Sequence, residues 1–287
     1  MATCISPLRL KREGQLVDVP CGRCGFCLQN RRKEWSFRLQ KEYREHTLSK
    51  FITLTYSNDN LKYVLDKTKS QKEYVPVLVK SDLQKFMKRL RKKQSKITDQ
   101  KLKYYAVGEY GTKTKRPHYH AIIFGIHPKI VDKIQEAWSI YRDKQFYPIG
   151  HVDIGDVNNN SIDYVTKYVI NRYEFKGYVA EPFTLISNGI GEAHLKKNFN
   201  KYYSSETVRS ERGYIQKIPR YYRDKLNQNK YSHEFRKQKF QELVEKRKAE
   251  ELERLSKTYS NPEKYDEQRK MAANDKISRN AKNNEKI

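Results

Sequence analysis

His118 and His120 stand two apart in the stretch RPHYHAIIF. Read as a β-strand, that spacing points both imidazoles to one face and turns Tyr119 and Ala121 to the other. Two imidazoles side by side make half of a divalent-metal site. Glu109 closes the stretch YYAVGE. With 111–116 as a turn, it lies opposite His118 across a hairpin, within reach of the same ion. Two histidines and a carboxylate leave coordination positions open for phosphate and water. Further on, Tyr164 and Tyr168 stand at i, i+4 in YVTKY, with Lys167 between them. On a helix both phenols share a face, about 5–6 Å apart at Cβ. A phenol, with a pKa of about 10, is a weak nucleophile near neutral pH. A metal that polarises a phosphate, and a cation that steadies the phenolate, make it competent. Such a pair of features would cut a nucleic-acid strand by forming a phosphotyrosine ester. The ester keeps the bond energy, so the break can be rejoined without ATP, and a second tyrosine permits a second transfer. Taken singly, each feature also fits plain packing: an HxH on a strand is commonly structural, and 22 tyrosines bring pairs together by chance.

Charge supplies the substrate class. The 287 residues carry 60 Lys and Arg against 34 Asp and Glu, a net +26. A surplus of this size is tolerable when a polyanion neutralises it, and nucleic acid is the default polyanion. Lys and Arg are spread along the whole chain rather than gathered on one amphipathic helix, which argues against a membrane surface. The longest apolar stretch, Ala121 to Phe124, is too short to span a bilayer. There is no apolar segment of secretory type at the N-terminus, and the aromatic content is too high for a wholly disordered chain.

All four cysteines, Cys4, Cys21, Cys24 and Cys27, lie in the first 27 residues. Their density suits four-coordinate zinc first. The C-x2-C-x2-C run also suits an iron–sulfur cluster, and unligated thiols are a third reading. Disulfides are disfavoured in a cytosolic chain. The segment would pin the start of a basic helix over 28–46, with Leu28, Trp35, Leu39 and Tyr43 as its apolar stripe and Arg31, Arg32 and Lys33 facing elsewhere.

The elements that must position these residues follow from periodicity. FITLTY (51–56) reads as a strand. Ser81 and Gln84 form a capping box for a helix with stripe Leu83, Phe86, Met87 and Leu90. Strands follow at 104–109 and 118–125, then a helix opening at Pro128 and carrying Ile130, Val131, Ile134, Ala137 and Trp138. HVDIG (151–155) is a strand and 161–172 a helix with Ile162, Val165 and Val169 inward, the two phenols at the edge of that face. Residues 174–225 read as irregular. From 231 a charged helix is expected, with a polar, flexible tail from Ser256; Phe240, Leu243, Leu252 and Leu255 give it a weak stripe. The order β–α–β–β–α–β–α predicts an α+β fold with a mostly antiparallel central sheet flanked by helices. The domains read as 1–47, Cys-rich with a basic helix; 48–230, the nuclease domain; and 231–287, a charged helical and flexible tail.

RPHYHAIIFG followed by YVTKYV resembles the HUH endonucleases, which nick single-stranded DNA at replication origins. The nearer resemblance is to the replication initiators of gokushovirus-type microviruses, bacteriophages with circular single-stranded DNA. The shared marks are VPCGRCGFC before RRKEWSFRL, then FITLTY, GEYG, RPHYHAIIFG, YVTKYV, SNGIG and IPRYY with Asp224, over roughly residues 1–230. The resemblance implies an HUH-type fold. It implies His118, His120 and Glu109 on a catalytic Mg²⁺ or Mn²⁺, Tyr164 and Tyr168 as paired nucleophiles, and Lys167 as the basic residue between them. It implies nicking and joining that start and end rolling-circle replication through a 5′-phosphotyrosine. Partners would be single-stranded or hairpin origin DNA and the host replication machinery, in the cytoplasm of a bacterial host and with no membrane. Arg31, Arg32, Lys33 and Arg116 are candidate DNA contacts. Two rivals remain: a transposase or relaxase of the same chemistry, and a non-enzymatic, zinc-stabilised nucleic-acid-binding protein.

Overall fold

The computed structural model describes residues 4–12, 14–66, 73–111, 113–171, 180–227 and 230–283. Along these the chain forms β1 (Leu8–Arg12), β2 (Gln15–Val19), α1 (Gly25–Tyr43), β3 (Ser49–Thr55), β4 (Tyr63–Asp66), β5 (Glu73–Pro76), α2 (Lys80–Gln94), β6 (Lys103–Tyr110) and β7 (Pro117–Phe124). It continues through α3 (Pro128–Val131), α4 (Ile134–Ala137), β8 (Ser139–Arg142), β9 (Gln145–Pro148), β10 (Val152–Asp156), α5 (Asn159–Asn171) and β11 (Phe183–Ile186). The last elements are α6 (Glu192–Lys197), α7 (Phe199–Tyr203), β12 (Thr207–Arg209), β13 (Ile215–Lys217), α8 (Arg220–Leu226), α9 (Lys230–Ser256) and α10 (Pro262–Asn283). There are two compact units: residues 39–193, and residues 1–38 together with 194–287.

The unit 39–193 is built on a five-stranded sheet in the order β10-β3-β7-β6-β11, with every neighbouring pair antiparallel. The expected α+β architecture, an antiparallel sheet flanked by helices, is the observed one. One sheet face is a dry core. Ile52, Leu54, Tyr119, Ala121 and Ile123 meet Leu83, Phe86, Met87 and Leu90 of α2 and Ile130, Ile134 and Trp138 of the α3–α4 segment. Trp138 is fully buried, and its indole N–H donates to the Thr55 carbonyl at 2.9 Å. Each fully buried large side chain here contributes about 1.5–3 kcal/mol. The other face carries His118 and His120 and packs under α5.

Several sequence expectations are corrected. Ser81 and Gln84 do not cap α2. The N-cap is Val79, with no side-chain cap, because the Tyr119 hydroxyl engages the Val79 backbone N–H and C=O at 2.8 and 3.2 Å and starts the helix earlier. The α1 stripe excludes Tyr43, which is 39% exposed, because the helix turns the neighbouring Glu42 inward. Trp35 is only half-buried, under the Arg38 guanidinium at 4.3 Å. The stretch 180–225, read as irregular, holds β11 through α8. The chain beyond Ser256 is helical over α10, and Tyr259 stacks on Tyr265 at 3.7 Å. The side chains of Phe240 and Leu243 and the residues 172–179 lie outside the described residues.

The unit formed by 1–38 and 194–287 has its own small core of Phe37, Leu195, Tyr202, Ile218, Tyr222 and Leu226. Its β1–β2 hairpin turns at Gly14, whose φ of 81° lies where side chains with a Cβ are strained. The hairpin brings Cys4 back to Cys21.

Candidate functional site

The β6–β7 hairpin fixes the register. Glu109 pairs with His118 and Val107 with His120, so 109, 118 and 120 share one face. The turn closes through Gly111 N–H to the Arg116 carbonyl at 2.9 Å. A Cβ on Gly111 would sit 3.0 Å from His118 Cε1, so a side chain there would press on the ring. On the partner strand β3, Thr53 pairs with His120, and its hydroxyl lies 3.0 Å from His120 Nδ1. Phe51, His120 and His118 stack in parallel, with centroid separations of 5.9 and 6.4 Å and planes 3° apart.

Over this face lies α5, whose start is set locally. Asn158 accepts from the Ser161 N–H through its side chain and donates its own N–H to the Ser161 hydroxyl, both at 2.9 Å, a reciprocal cap. Ile162 and Val165 are buried, while Tyr164, Lys167 and Tyr168 are half-buried at the edge of the inward face. The Tyr164 hydroxyl donates to Glu109 Oε1 at 3.1 Å and lies 3.3 Å from His120 Nε2. Glu109 Oε1 and His120 Nε2 are 2.8 Å apart. Tyr168 adds a hydrogen bond to Glu109, with its ring 5.5 Å from that of Tyr164. Lys167 Nζ lies over both rings, 4.1 Å from Tyr164 and 5.0 Å from Tyr168.

Glu109 therefore contacts the histidine diagonal to it, not His118 directly opposite. His118 Nδ1 donates to the Arg116 carbonyl at 2.7 Å, which leaves its Nε2 as a lone-pair donor. Beside His118 opens a cleft of about 510 Å³ walled by Ser57, Asn58, Asp59, Arg116 and His151. Arg116 is held there by the Asn58 side chain at 2.8 Å and the Tyr56 carbonyl at 2.9 Å.

Burial alone would raise the Glu109 carboxyl, but the hydrogen bond and charge of His120, with the two phenols, outweigh it and hold it below the ordinary range. Burial lowers His118. Burial, with the Glu109 charge second, pushes the Tyr164 phenol up to about 12 and Tyr168 further up. Lys167 does not reverse this, because its ammonium lies over the ring faces rather than at the hydroxyls.

At the other candidate site the four thiol sulfurs lie within 4.8 Å of one another. Cys21 to Cys27 is 4.0 Å and Cys24 to Cys4 is 3.9 Å. A tetrahedral ion with metal–sulfur bonds of about 2.3 Å spaces its sulfurs about 3.8 Å apart. The four cysteines are thus close enough to hold one metal ion such as zinc. The Cys21 N–H donates to Cys4 Sγ and the Cys24 N–H to Cys21 Sγ, each at 3.3 Å. Burial opposes ionisation of Cys21, but the backbone N–H groups of Arg23 and Cys24 outweigh it and bring the thiol down to about 6. Burial pushes Cys27 up.

The remaining basic candidates divide. Arg31 and Lys33 are exposed on α1 and Arg32 is half-buried. In the run from Lys88 to Lys93, Arg89 donates to the Ala137 carbonyl at 2.7 Å, Arg91 lies over Tyr104 at 4.9 Å, and Lys93 pairs with Glu136 at 2.6 Å. That run is largely structural. Tyr222 is core and Tyr221 lies beneath Arg38 at 4.0 Å. Sequence reading missed Glu42 and His46, 2.7 Å apart and buried, and gave Thr53 no role. An E-x3-H spacing on a helix was the available signal for the first pair.

The model of the family described as replication-associated protein ORF2 matches residues 49–172, the span from β3 through α5 that holds the histidines, Glu109 and the tyrosines. The replication-associated protein ORF2 of Spiroplasma virus 4 is 30% identical over 233 residues, covering 76% of this chain and 70% of that protein. The replication-associated protein ORF4 of Chlamydia phage 1 is 32% identical over 166 residues, 54% of this chain and 38% of the relative. The replication-associated protein VP4 of Bdellovibrio phage phiMH2K is 26% identical over 239 residues, 78% and 72% of the two chains. No solved structure matches the chain. Among the described residues, no helix is long and apolar enough to cross a membrane.

Proposed function

The chain belongs to the replication-associated protein ORF2 family represented in microviruses, and from that membership we propose that it is a rolling-circle replication initiator of HUH type, a metal-dependent DNA nicking and joining enzyme. The observation that carries this reading is the Tyr164 hydroxyl, set within hydrogen-bond distance of both Glu109 and His120 beside a polar cleft that His118 lines. The substrate is single-stranded or hairpin DNA at an origin, and the setting is the cytoplasm of a bacterial host, alongside the host's replication machinery.

His118, His120 and Glu109 would hold Mg²⁺ or Mn²⁺. The donor set fits: His118 offers Nε2 because Nδ1 is engaged by Arg116, and Thr53 can accept from or donate to His120 Nδ1, so that ring can free Nε2. When bound, the ion supplies charge that polarises the scissile phosphate. The protein's own residues do the rest. Arg116 presents a guanidinium at the cleft wall, and Arg31, Arg32 and Lys33 give α1 a basic stretch for the DNA backbone. One of Tyr164 and Tyr168 attacks the phosphorus. The bond to the 3′-oxygen breaks, and the proton lost by the phenol ends on that oxygen. The products are a 5′-phosphotyrosine and a 3′-hydroxyl that primes synthesis. The second tyrosine attacks at the regenerated origin, and the displaced strand closes into a circle. Lys167, over both rings, favours the electron-rich phenolate. The raised phenol pKa means attack waits for the phosphate and ion to offset the Glu109 charge.

The cysteine cluster would hold structural zinc. A mononuclear ion matches the short sulfur spacing, whereas a cluster distributes its thiolates over several irons. The test of the enzymatic reading is covalent trapping with single-stranded origin DNA and Mn²⁺. The wild-type chain should give an adduct that survives denaturation. Tyr164→Phe with Tyr168→Phe should abolish it and leave salt-sensitive DNA binding intact. Binding with no adduct from the wild-type chain would leave only a nucleic-acid-binding protein.

A further inference from the structure

Between α4 and β10 the chain makes a ribbon that pairs with nothing else among the described strands: β8 and β9, two antiparallel strands of four residues. Its tight turn places Asp143 and Lys144 at φ 51° and 61°. The register sets Tyr141 opposite Phe146 and Ile140 opposite Tyr147, so large apolar side chains line both faces. None is covered: Tyr141 is 62% exposed, Ile140 52%, Phe146 45% and Tyr147 41%. A two-stranded ribbon is marginal in water by itself, and this one displays what a folded chain usually hides.

Two further observations identify the occupant. First, each of two aromatics has a cation over its face: Lys93 Nζ lies 4.9 Å from the Phe146 ring and Arg142 lies 5.2 Å from that of Tyr147. A base stacking on such a ring brings its phosphate to the neighbouring cation. Protein-binding patches, by contrast, are depleted in lysine. Second, the ribbon grows out of the cleft wall. The Ile149 carbonyl accepts from the Ser57 N–H at 3.1 Å, and the Pro148 carbonyl from the Asn60 side chain at 3.4 Å. Ser57 and His151, just past the ribbon, line the cleft that contains His118.

We propose that the β8–β9 ribbon is a stacking platform for single-stranded DNA, holding unpaired bases on Tyr141, Phe146 and Tyr147 next to the cleft. The inference rests on the nucleic-acid part of the function proposed above and not on the nicking step. It is tested on the full chain without added Mn²⁺, by titrating a labelled oligothymidine about 16 nucleotides long, the upper end of the sites such platforms cover, and a duplex of equal length. The triple variant Tyr141→Ala, Phe146→Ala and Tyr147→Ala should bind the single strand at least about tenfold more weakly, since stacking on one ring commonly accounts for about five- to 150-fold. It should bind the duplex as before and keep its melting temperature. Tyr141→Phe with Tyr147→Phe, which keeps the rings, should bind like the wild type. Unchanged single-strand affinity in the triple variant would overturn the proposal. So would equal losses on both DNAs, loss in the ring-preserving variant, or self-association abolished by the triple variant with DNA binding intact. If the wild-type chain forms no covalent adduct while the single-strand-selective loss appears, nicking fails and the platform stands. An adduct with unaltered binding in the variants gives the reverse.

Discussion

Two glutamate–histidine pairs lie at opposite ends of the same sheet face, and they differ in what completes them. Glu42 and His46 meet at 2.7 Å, near the end where Lys103 pairs with Phe124. Glu109 and His120 meet at 2.8 Å, near the end where Glu109 pairs with His118. Glu42 is 0% exposed, and protein groups use both of its oxygens: Lys103 Nζ at 2.9 Å and the Gly191 N–H at 2.6 Å join His46. Glu109 is nearly as buried, at 8%, but its remaining partners are the half-buried phenols of Tyr164 and Tyr168. A carboxylate closed by a lysine and a backbone amide holds structure. One closed by phenols, with a free imidazole nitrogen alongside, has partners that can leave and do chemistry. Burial and a histidine do not make a site; the exchangeability of the other ligands does.

The comparison breaks most sharply under paired substitution. Glu109→Gln should cut adduct formation with origin DNA by about a thousandfold or more, because it removes the charge on which the ion depends, and should move the thermal midpoint little. Glu42→Ala should do the opposite. It strands Lys103 and the Gly191 N–H in the interior, at a cost of about 3–5 kcal/mol, read as a lower urea midpoint. Adduct formation at low temperature should survive in whatever fraction stays folded. Should Glu42→Ala lose the adduct at full stability, the assignment of the two pairs is reversed.

The same contrast separates what the sequence revealed from what it hid. The reactive pair was legible because its members sit close in a regular pattern. Alternation on β7 placed both histidines, the short turn set Glu109 against His118, and the helical repeat put both phenols at one edge. The structural pair was not legible, because Lys103 and Gly191 lie far from Glu42 in the chain, and only tertiary folding brings them to it. Strand β11 was missed for a related reason. Four half-buried residues, FTLI, carry no alternation of their own and become a strand by pairing with β6. The predicted capping box on α2 failed because Asp82, within the first turn, is claimed by the Tyr56 hydroxyl and Lys62, both at 2.8 Å, and Tyr119 holds the residue that begins the helix.

Acid sharpens the structural half of the comparison. Burial would raise the Glu42 carboxyl, but hydrogen bonds from His46, Lys103 and Gly191 and the charge of Lys103 outweigh it and hold it below the ordinary range. A carboxyl lowered by folding stabilises the fold above its unfolded value, about 4.3, and that stability is lost as the pH falls through the folded value. Urea midpoints for the wild-type chain should therefore decline below about pH 4.3 by an amount that Glu42→Ala removes, about 1.5–3 kcal/mol for hydrogen bonds to a charged group. Parallel acid limbs in the two proteins would show that Glu42 is not the group responsible.

The finest test concerns how His120 is aimed. Its ring is stacked between Phe51 and His118, and its Nδ1 lies 3.0 Å from the Thr53 hydroxyl. Either could fix the orientation of Nε2. Stacking restricts the plane of the ring but not its proton. A hydroxyl both donates and accepts, so Thr53 can follow His120 between the tautomer that gives its Nε2 proton to Glu109 and the one that frees Nε2. Thr53→Val keeps the shape and removes that exchange. If the hydroxyl does the aiming, the Mn²⁺ concentration for half-maximal adduct should rise about tenfold, the low end for such supporting partners. Stability should change by less than about 1 kcal/mol, and Thr53→Ser should restore the wild-type requirement. An unaltered Mn²⁺ requirement in Thr53→Val would assign the aiming to the parallel rings alone. Phe51→Leu should then produce the loss that Thr53→Val did not, because it removes the flat surface against which the imidazole is held.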